Sequence, residues 1–219
     1  MRRLKTNILL LSLVIYSSYS QTLHAELALE STPLPLILKS ATVQEDRDWD
    51  SSKELKPGLV HIIFYVAPPA KSMNDKATEH LKAKGYKTEQ VKSWAVVNMA
   101  DSSWPNFLIR SEIKKSQAKH PHTTYLKDYD YTMLKTWQFA HKSNDILVLD
   151  PDGKVLFAHN GAMDEPKIES LIDSIDKAIA KNKKEEPTEN SLQAKATDQT
   201  GSLGNKEQQT KKPEQASKK

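Results

Sequence analysis

The run Leu59-Val60-His61-Ile62-Ile63-Phe64-Tyr65-Val66 is the feature that most limits the folds open to this chain. It is a near-continuous stretch of β-branched, aliphatic and aromatic residues, which reads as a buried strand rather than a half-exposed one. Pro57-Gly58 turns the chain into it, and Ala67-Pro68-Pro69-Ala70 follows at once. A strand that passes straight into such a turn calls for a helix and a crossover next.

The rest of the body supplies them. Ser72 is placed to cap a helix to about Lys84, with Met73, Ala77 and Leu81 spaced at i, i+4 and i+8 and Gly85 ending it. Trp94-Ala95-Val96-Val97 reads as a second buried strand, and Asp101-Ser102-Ser103-Trp104-Pro105 as a loop. A helix follows over about Asn106–Gln117, with Phe107, Leu108, Ile109 and Ile113 apolar, and Pro121 closes it. Thr123–Leu126 reads as a short strand, and a short helix passes through Met133, Leu134 and Trp137. Ile146–Leu149 and Val155–Ala158, joined by Asp150-Pro151-Asp152-Gly153, predict a β-hairpin. Asp164 caps a last helix over about Glu165–Ala180, with Pro166 in its first turn and Ile168, Leu171, Ile172, Ile175 and Ile179 on one face. Residues 26–57 carry less pattern. Leu36-Ile37-Leu38 suggests a short edge strand beside Pro33 and Pro35, and Trp49 is the only large apolar side chain between Asp46 and Ser52.

This order predicts an α/β domain with a mixed central sheet sandwiched by helices, two parallel strands and a crossover preceding the hairpin and closing helix. It is the topology of thioredoxins, and Ala67-Pro68-Pro69-Ala70 resembles the Cys-Pro-Pro-Cys turn of many secreted thioredoxin relatives. Both sulfur positions are alanine here, and the chain holds no cysteine at all. Thiol–disulfide exchange needs a thiolate and a resolving partner, so that chemistry is excluded on this polypeptide. Asn144 falls where the cis-proline of active relatives would stand; a non-proline cis bond costs roughly 3 kcal/mol, so a trans bond is expected. The pieces Pro57-Gly58-Leu59-Val60, Ile109-Arg110-Ser111, Trp137, Leu149-Asp150-Pro151-Asp152-Gly153 and His159-Asn160-Gly161-Ala162 together resemble the bacterial YtfJ family. That resemblance implies an exported, thioredoxin-like protein of Gram-negative bacteria and carries no established activity with it.

Both ends differ in composition from the body. Arg2, Arg3 and Lys5 precede an apolar run from Ile8 to Tyr16 and a small-residue zone, which reads as a signal peptide over residues 1–25 cleaved after Ser20 or Ala25. That apolar run is too short for a spanning helix of about 20 residues, so no stable membrane anchor is expected after cleavage, and the protein is expected in the periplasm. From Lys181 onward the chain is polar and lysine-rich, and residues 181–219 are expected to be a disordered tail beyond the frayed end of the last helix. The two ends account for the net charge of +4, leaving a slightly acidic body over 26–180. Such a body is not built to bind nucleic acid. It must also hold together without disulfides.

The site expected from this reading is the vestigial redox face: Ala67, Pro68, Pro69, Ala70, Trp104 and Asn144, contacting an envelope protein or peptide, with no cofactor, no metal and no catalytic residue. Trp104 either lies exposed there or folds under its own helix. Trp94 is expected in the core, and His61 as a satisfied, half-buried side chain. The competing reading is a metal-binding or hydrolytic enzyme using His120, His122 or His141. The His120-Pro121-His122 pair is a poor ligand set without a third donor, and no nucleophile elbow or phosphate loop is present.

Overall fold

The computed structural model describes residues 27–185. Two short strands, β1 (Ile37–Leu38) and β2 (Trp49–Asp50), pair antiparallel and lead through a single turn, α1 (Ser51–Glu54), into the main sheet. That sheet comprises β3 (Val60–Val66), β4 (Val91–Asn98), β5 (Thr123–Asp128), β6 (Asn144–Leu149) and β7 (Val155–His159). Its spatial order is β5-β4-β3-β6-β7, with β3, β4 and β5 parallel and β6 and β7 each antiparallel to its inner neighbour. Helices α2 (Asp75–Lys84) and α3 (Asn106–Lys119) make the two crossovers, α4 (Thr132–Trp137) precedes β6, and α5 (Glu165–Glu185) follows β7. This is a thioredoxin-like fold, as the order of elements predicts.

The central strand β3 is hydrogen-bonded on both sides and feeds a core on each face. Val60 and Ile62 meet Ala77 of α2 and Ile168, Leu171 and Ile175 of α5. Ile63 and Tyr65 point the other way, toward Leu38, Trp49, Trp94, Trp137 and Phe139. A smaller cluster holds α3 down through Ile109 and Ile113 against Met99. The opaque N-terminal stretch proves to be a lid on the second face. Trp49 is 1% exposed and sits edge-on to both Trp94 (5.4 Å) and Trp137 (6.5 Å). Trp137 Nε1 donates to the Leu34 carbonyl at 2.8 Å, fastening the proline-flanked segment to the core. His61 is fully buried rather than half-buried. Trp94 Nε1 donates to its Nδ1 (3.1 Å), so Nε2 carries the hydrogen and donates to the Lys56 carbonyl (2.8 Å). Burial holds the His61 pKa below its ordinary value, which suits that neutral tautomer.

The hairpin turn forms as expected. The Asp150 side chain accepts from the Asp152 and Lys154 amides, and Gly153 takes φ +80°, which a residue with a Cβ adopts only under strain. The start of α2 differs from expectation. Ser72 does not cap it; the helix begins at Asp75 after Asn74, and Met73 lies outside it, 41% exposed. Asn74 makes contacts across the fold instead, described below. Of the four apolar residues of α3, Ile109 and Ile113 turn inward, and Phe107 and Leu108 are exposed. Helix α5 continues through residues 181–185. The signal peptide expected over 1–25 and the tail expected beyond residue 185 lie outside the described residues. Among the described residues, no helix is long and apolar enough to cross a membrane.

Trp137 joins the aromatic cluster to the N-terminal lid, so its truncation removes packing and a hydrogen bond together. Trp137→Ala is expected to lower unfolding free energy by about 3–5 kcal/mol, measured as a shift in the urea midpoint at unchanged slope. A loss below about 1 kcal/mol would show that the lid contributes little to this core.

Candidate functional site

Parallel strands deliver their following loops to one end of a sheet, and in open α/β sheets ligands gather there. Here β3 delivers Ala67–Ala70, and β4 delivers the segment from Asn98 to Trp104. The loop before β6 arrives at the same end because β6 runs opposite to β3, and the loop after β7 does so because β7, antiparallel to β6, runs the same way as β3.

Residues Pro68–Ala70 form a single 3-10 turn, in which the Ala70 amide donates to the Ala67 carbonyl at 2.8 Å. Ala67 and Ala70 are buried, Pro68 is partly covered and Pro69 is exposed. The Ala67 amide donates to the Ser143 carbonyl (2.8 Å), so the turn lies directly against the residue preceding Asn144. Asn144 is 4% exposed, and its Nδ2 donates to the Lys71 carbonyl at 3.3 Å. Its Oδ1 is buried without a hydrogen-bond partner. No cis peptide bond occurs among the described residues, so Asn144 is preceded by a trans bond. Ala67, Pro68, Pro69, Ala70 and Asn144 therefore do converge.

Two side chains not singled out from the sequence hold this arrangement. Asn74 donates from Nδ2 to the carbonyls of Asn144 (2.7 Å) and Gly161 (2.9 Å), and accepts from the Met163 amide (3.0 Å). Asp145 is wholly buried and accepts from the Ala140 amide (2.6 Å), the Gly161 amide (2.8 Å) and the Ser143 hydroxyl. Burial pushes the Asp145 carboxyl above its ordinary pKa, and those three hydrogen bonds only partly offset it.

A second buried carboxylate ties the β4 loop to the loop before β6. Asp101 accepts from Asn98 Nδ2 (2.8 Å), the Lys142 amide (2.7 Å), the Tyr131 hydroxyl (3.2 Å) and His141 Nδ1 (3.2 Å). Burial opposes its charge, but the Lys142 amide, His141 and Tyr131 outweigh burial and hold its pKa below the ordinary value. An ionised carboxylate only accepts, so His141 must carry a hydrogen on Nδ1, and its side chain is more than half exposed. Tyr131 packs edge-on against the imidazole at 4.9 Å. Of the three histidines of the competing reading, only His141 reaches this end. His120 ends α3 and His122 precedes β5, both exposed at the opposite end of the sheet. Among the described residues, no group of three or more histidine, cysteine, aspartate or glutamate side chains is disposed to hold a metal.

Trp104 lies in the open: 61% of it is exposed, and Phe107 (69%) and Leu108 (42%) continue the apolar surface onto the first turn of α3. Met73, three residues past the turn, is exposed as well. Glu112, one turn beyond Leu108, has its pKa held down first by Lys115 and also by Lys71.

If the turn has kept the shape of a dithiol site, it should accept the missing sulfurs. Side chains at i and i+3 of a 3-10 turn eclipse one another, and a disulfide needs Cβ atoms roughly 3.5–4.5 Å apart. Ala67→Cys/Ala70→Cys is therefore expected to lose two hydrogens on intact-mass measurement after exposure to oxidised glutathione. Two free or glutathione-capped thiols would show that the geometry has gone. Asp101 generates a separate expectation. A carboxyl with a lowered folded-state pKa stabilises the fold above its unfolded pKa, and that contribution disappears as pH falls through the folded value. Asp101→Asn is expected to lower Tm at pH 7 and to show a smaller fall than the wild type between pH 5 and about pH 3.

The comparisons with known proteins agree with this architecture. An uncharacterized conserved protein from Geobacillus kaustophilus superposes with a TM-score of 0.53 at 17% identity, covering 70% of this chain and 82% of that one. The likeness is one of fold. The Uncharacterized protein YtfJ of Escherichia coli (strain K12) is 24% identical over 136 residues, which are 61% of this chain and 73% of that protein. An uncharacterized protein of Haemophilus influenzae (strain ATCC 51907 / DSM 11121 / KW20 / Rd) is 24% identical over 118 residues, 52% of this chain and 64% of the relative. The model of a bacterial protein family of unknown function, YtfJ_HI0045, matches residues 35–178. That span runs from the proline-flanked segment before β1 into α5 and takes in both the turn and the hairpin, and the chain belongs to the YtfJ family.

Proposed function

We propose that this chain is an exported, periplasmic protein that works without thiol chemistry and binds a protein or peptide through the face around Ala67–Ala70, Trp104 and Asn144. The observation that carries this reading is the exposure of Trp104 and Phe107 at the end of the sheet to which β3 delivers the sulfur-free turn. Isolated apolar side chains are ordinary on a protein surface, but a cluster at the loop end of a sheet marks a contact site. A second reading rests on His141, whose Nδ1 is engaged by Asp101 and whose side chain is more than half exposed. In that orientation an imidazole serves as a general base for hydrolysis.

Affinity capture from envelope extract separates the two. The full chain is compared with Pro68→Ala/Trp104→Ala and with His141→Gln, which leaves the apolar rim intact. The first reading expects a partner retained by wild type and His141→Gln and lost by the double variant. Identical partner sets for all three, or no partner, would overturn it. Ester or phosphoester turnover lost only in His141→Gln would establish the second.

A further inference from the structure

The rim also carries information about what it holds, an inference that rests on the reading of this face just given. Its apolar part is small. Aromatic side chains bury about 150–250 Å² each when covered; at 61% and 69% exposure, Trp104 and Phe107 together offer on the order of 250 Å². Leu108 and Met73, each under half exposed, add less. A second copy of the chain or another globular partner needs about 800 Å² per side for a stable interface. The rim is therefore sized for one or two anchoring side chains of a short segment.

Its charge is biased. Lys71 and Lys142 are both exposed and form no ion pair among the described residues. Arg110 and Glu112, on the next turn of α3, are already engaged by Asp46 and Lys115. Asp75 is an exposed acid beside Met73, in the first turn of α2, where the helix terminus already favours a negative charge. Asp101 is buried and saturated by four donors. The imidazole of His141 is fixed in direction by Asp101 and Tyr131. Two unpaired ammonium groups beside an apolar patch this small suit one or two discrete carboxylates more than the diffuse charge of a lipid surface.

We propose that this rim binds a short peptide segment carrying an aromatic or large aliphatic anchor next to one or two acidic residues. The anchor packs on Trp104 and Phe107, and the carboxylate is held by Lys71 and Lys142, with His141 at the edge. The binding is non-covalent.

Three fluorescein-labelled ten-residue peptides test it, sharing a central Leu-Phe anchor flanked by Asp/Glu, by Ser/Gln or by Lys/Arg. Each is titrated by anisotropy into the full chain, into Trp104→Ala and into Lys71→Glu/Lys142→Glu. The acidic peptide should bind wild type best, weaken about tenfold on charge reversal, and weaken with added salt. Trp104→Ala should weaken all peptides that bind. If the acidic and neutral peptides bind wild type equally and Trp104→Ala weakens both, the charge assignment falls while the face remains a binding site. If the acidic preference survives charge reversal, the lysine-rich C-terminal segment is responsible and the proposal falls. If no peptide binds, or if phosphatidylglycerol vesicles bind in a Trp104-dependent manner and peptides do not, the proposal falls as well.

Discussion

The loops at the carboxyl end of the sheet are tied together by three buried polar side chains that bond to main-chain and side-chain groups of separate segments. Asn74 joins the start of α2 to the first residue of β6 and to the loop after β7. Asp145 gathers three donors from the loops flanking β6 and β7. Asp101 gathers four from the β4 loop, α4 and the loop before β6. Without them, five loop segments would meet at one end of the sheet with their main-chain donors and acceptors unanswered. A buried amide or carbonyl left in that state costs about 1–3 kcal/mol. In a chain without cysteine, directional polar contacts perform the positioning that a covalent bridge would otherwise perform.

This dependence explains how the turn after β3 holds its form without cysteine. Ala67 is held by the Ser143 carbonyl, and the 3-10 turn closes on itself through Ala67 and Ala70. Neither contact involves a side chain at position 67 or 70, so both tolerate alanine. The cost falls on Asn144, whose amide reaches the Lys71 carbonyl but leaves Oδ1 buried without a partner. An unsatisfied acceptor in an otherwise well-satisfied loop cluster is the kind of local inconsistency that concentrates at functional sites.

Where the apolar pattern was strong, the sequence disclosed the fold. The β3 run, the Asp-Pro-Asp-Gly turn and the apolar face of α5 each appear where their periodicity places them, because each is decided by neighbours close in sequence. Trp49 was opaque for the opposite reason. Nothing near it in the chain is apolar, and its burial depends on Trp94 and Trp137, which are remote in sequence. Ser72 misled because serine caps helices through a local bond, whereas Asn74 at the actual helix start is taken up by contacts near residues 144, 161 and 163. The candidate site divides in the same way. Ala67–Ala70 and Asn144 could be placed by their relation to adjacent strands. Asp101 and Asp145 looked like ordinary loop and strand-edge acids, and only the folded chain shows how many donors surround each.

Phe107 and Leu108 complete the argument about the face. Amphipathic spacing would turn an apolar residue near the start of α3 inward, and the helix had Ile109 and Ile113 to satisfy its core stripe. Placing Phe107 and Leu108 on the outer side adds nothing to that cluster and leaves apolar area in water. The exposure is also not a consequence of loose packing, since Met99, Ile109 and Ile113 beneath are all nearly inaccessible. Rotating α3 to cover Phe107 would expose Ile113. The helix is thus pinned by its inner stripe with a second apolar strip facing outward. Trp104, two residues before α3, is exposed as well. The result is an apolar strip left in water on a helix whose inner stripe is well packed.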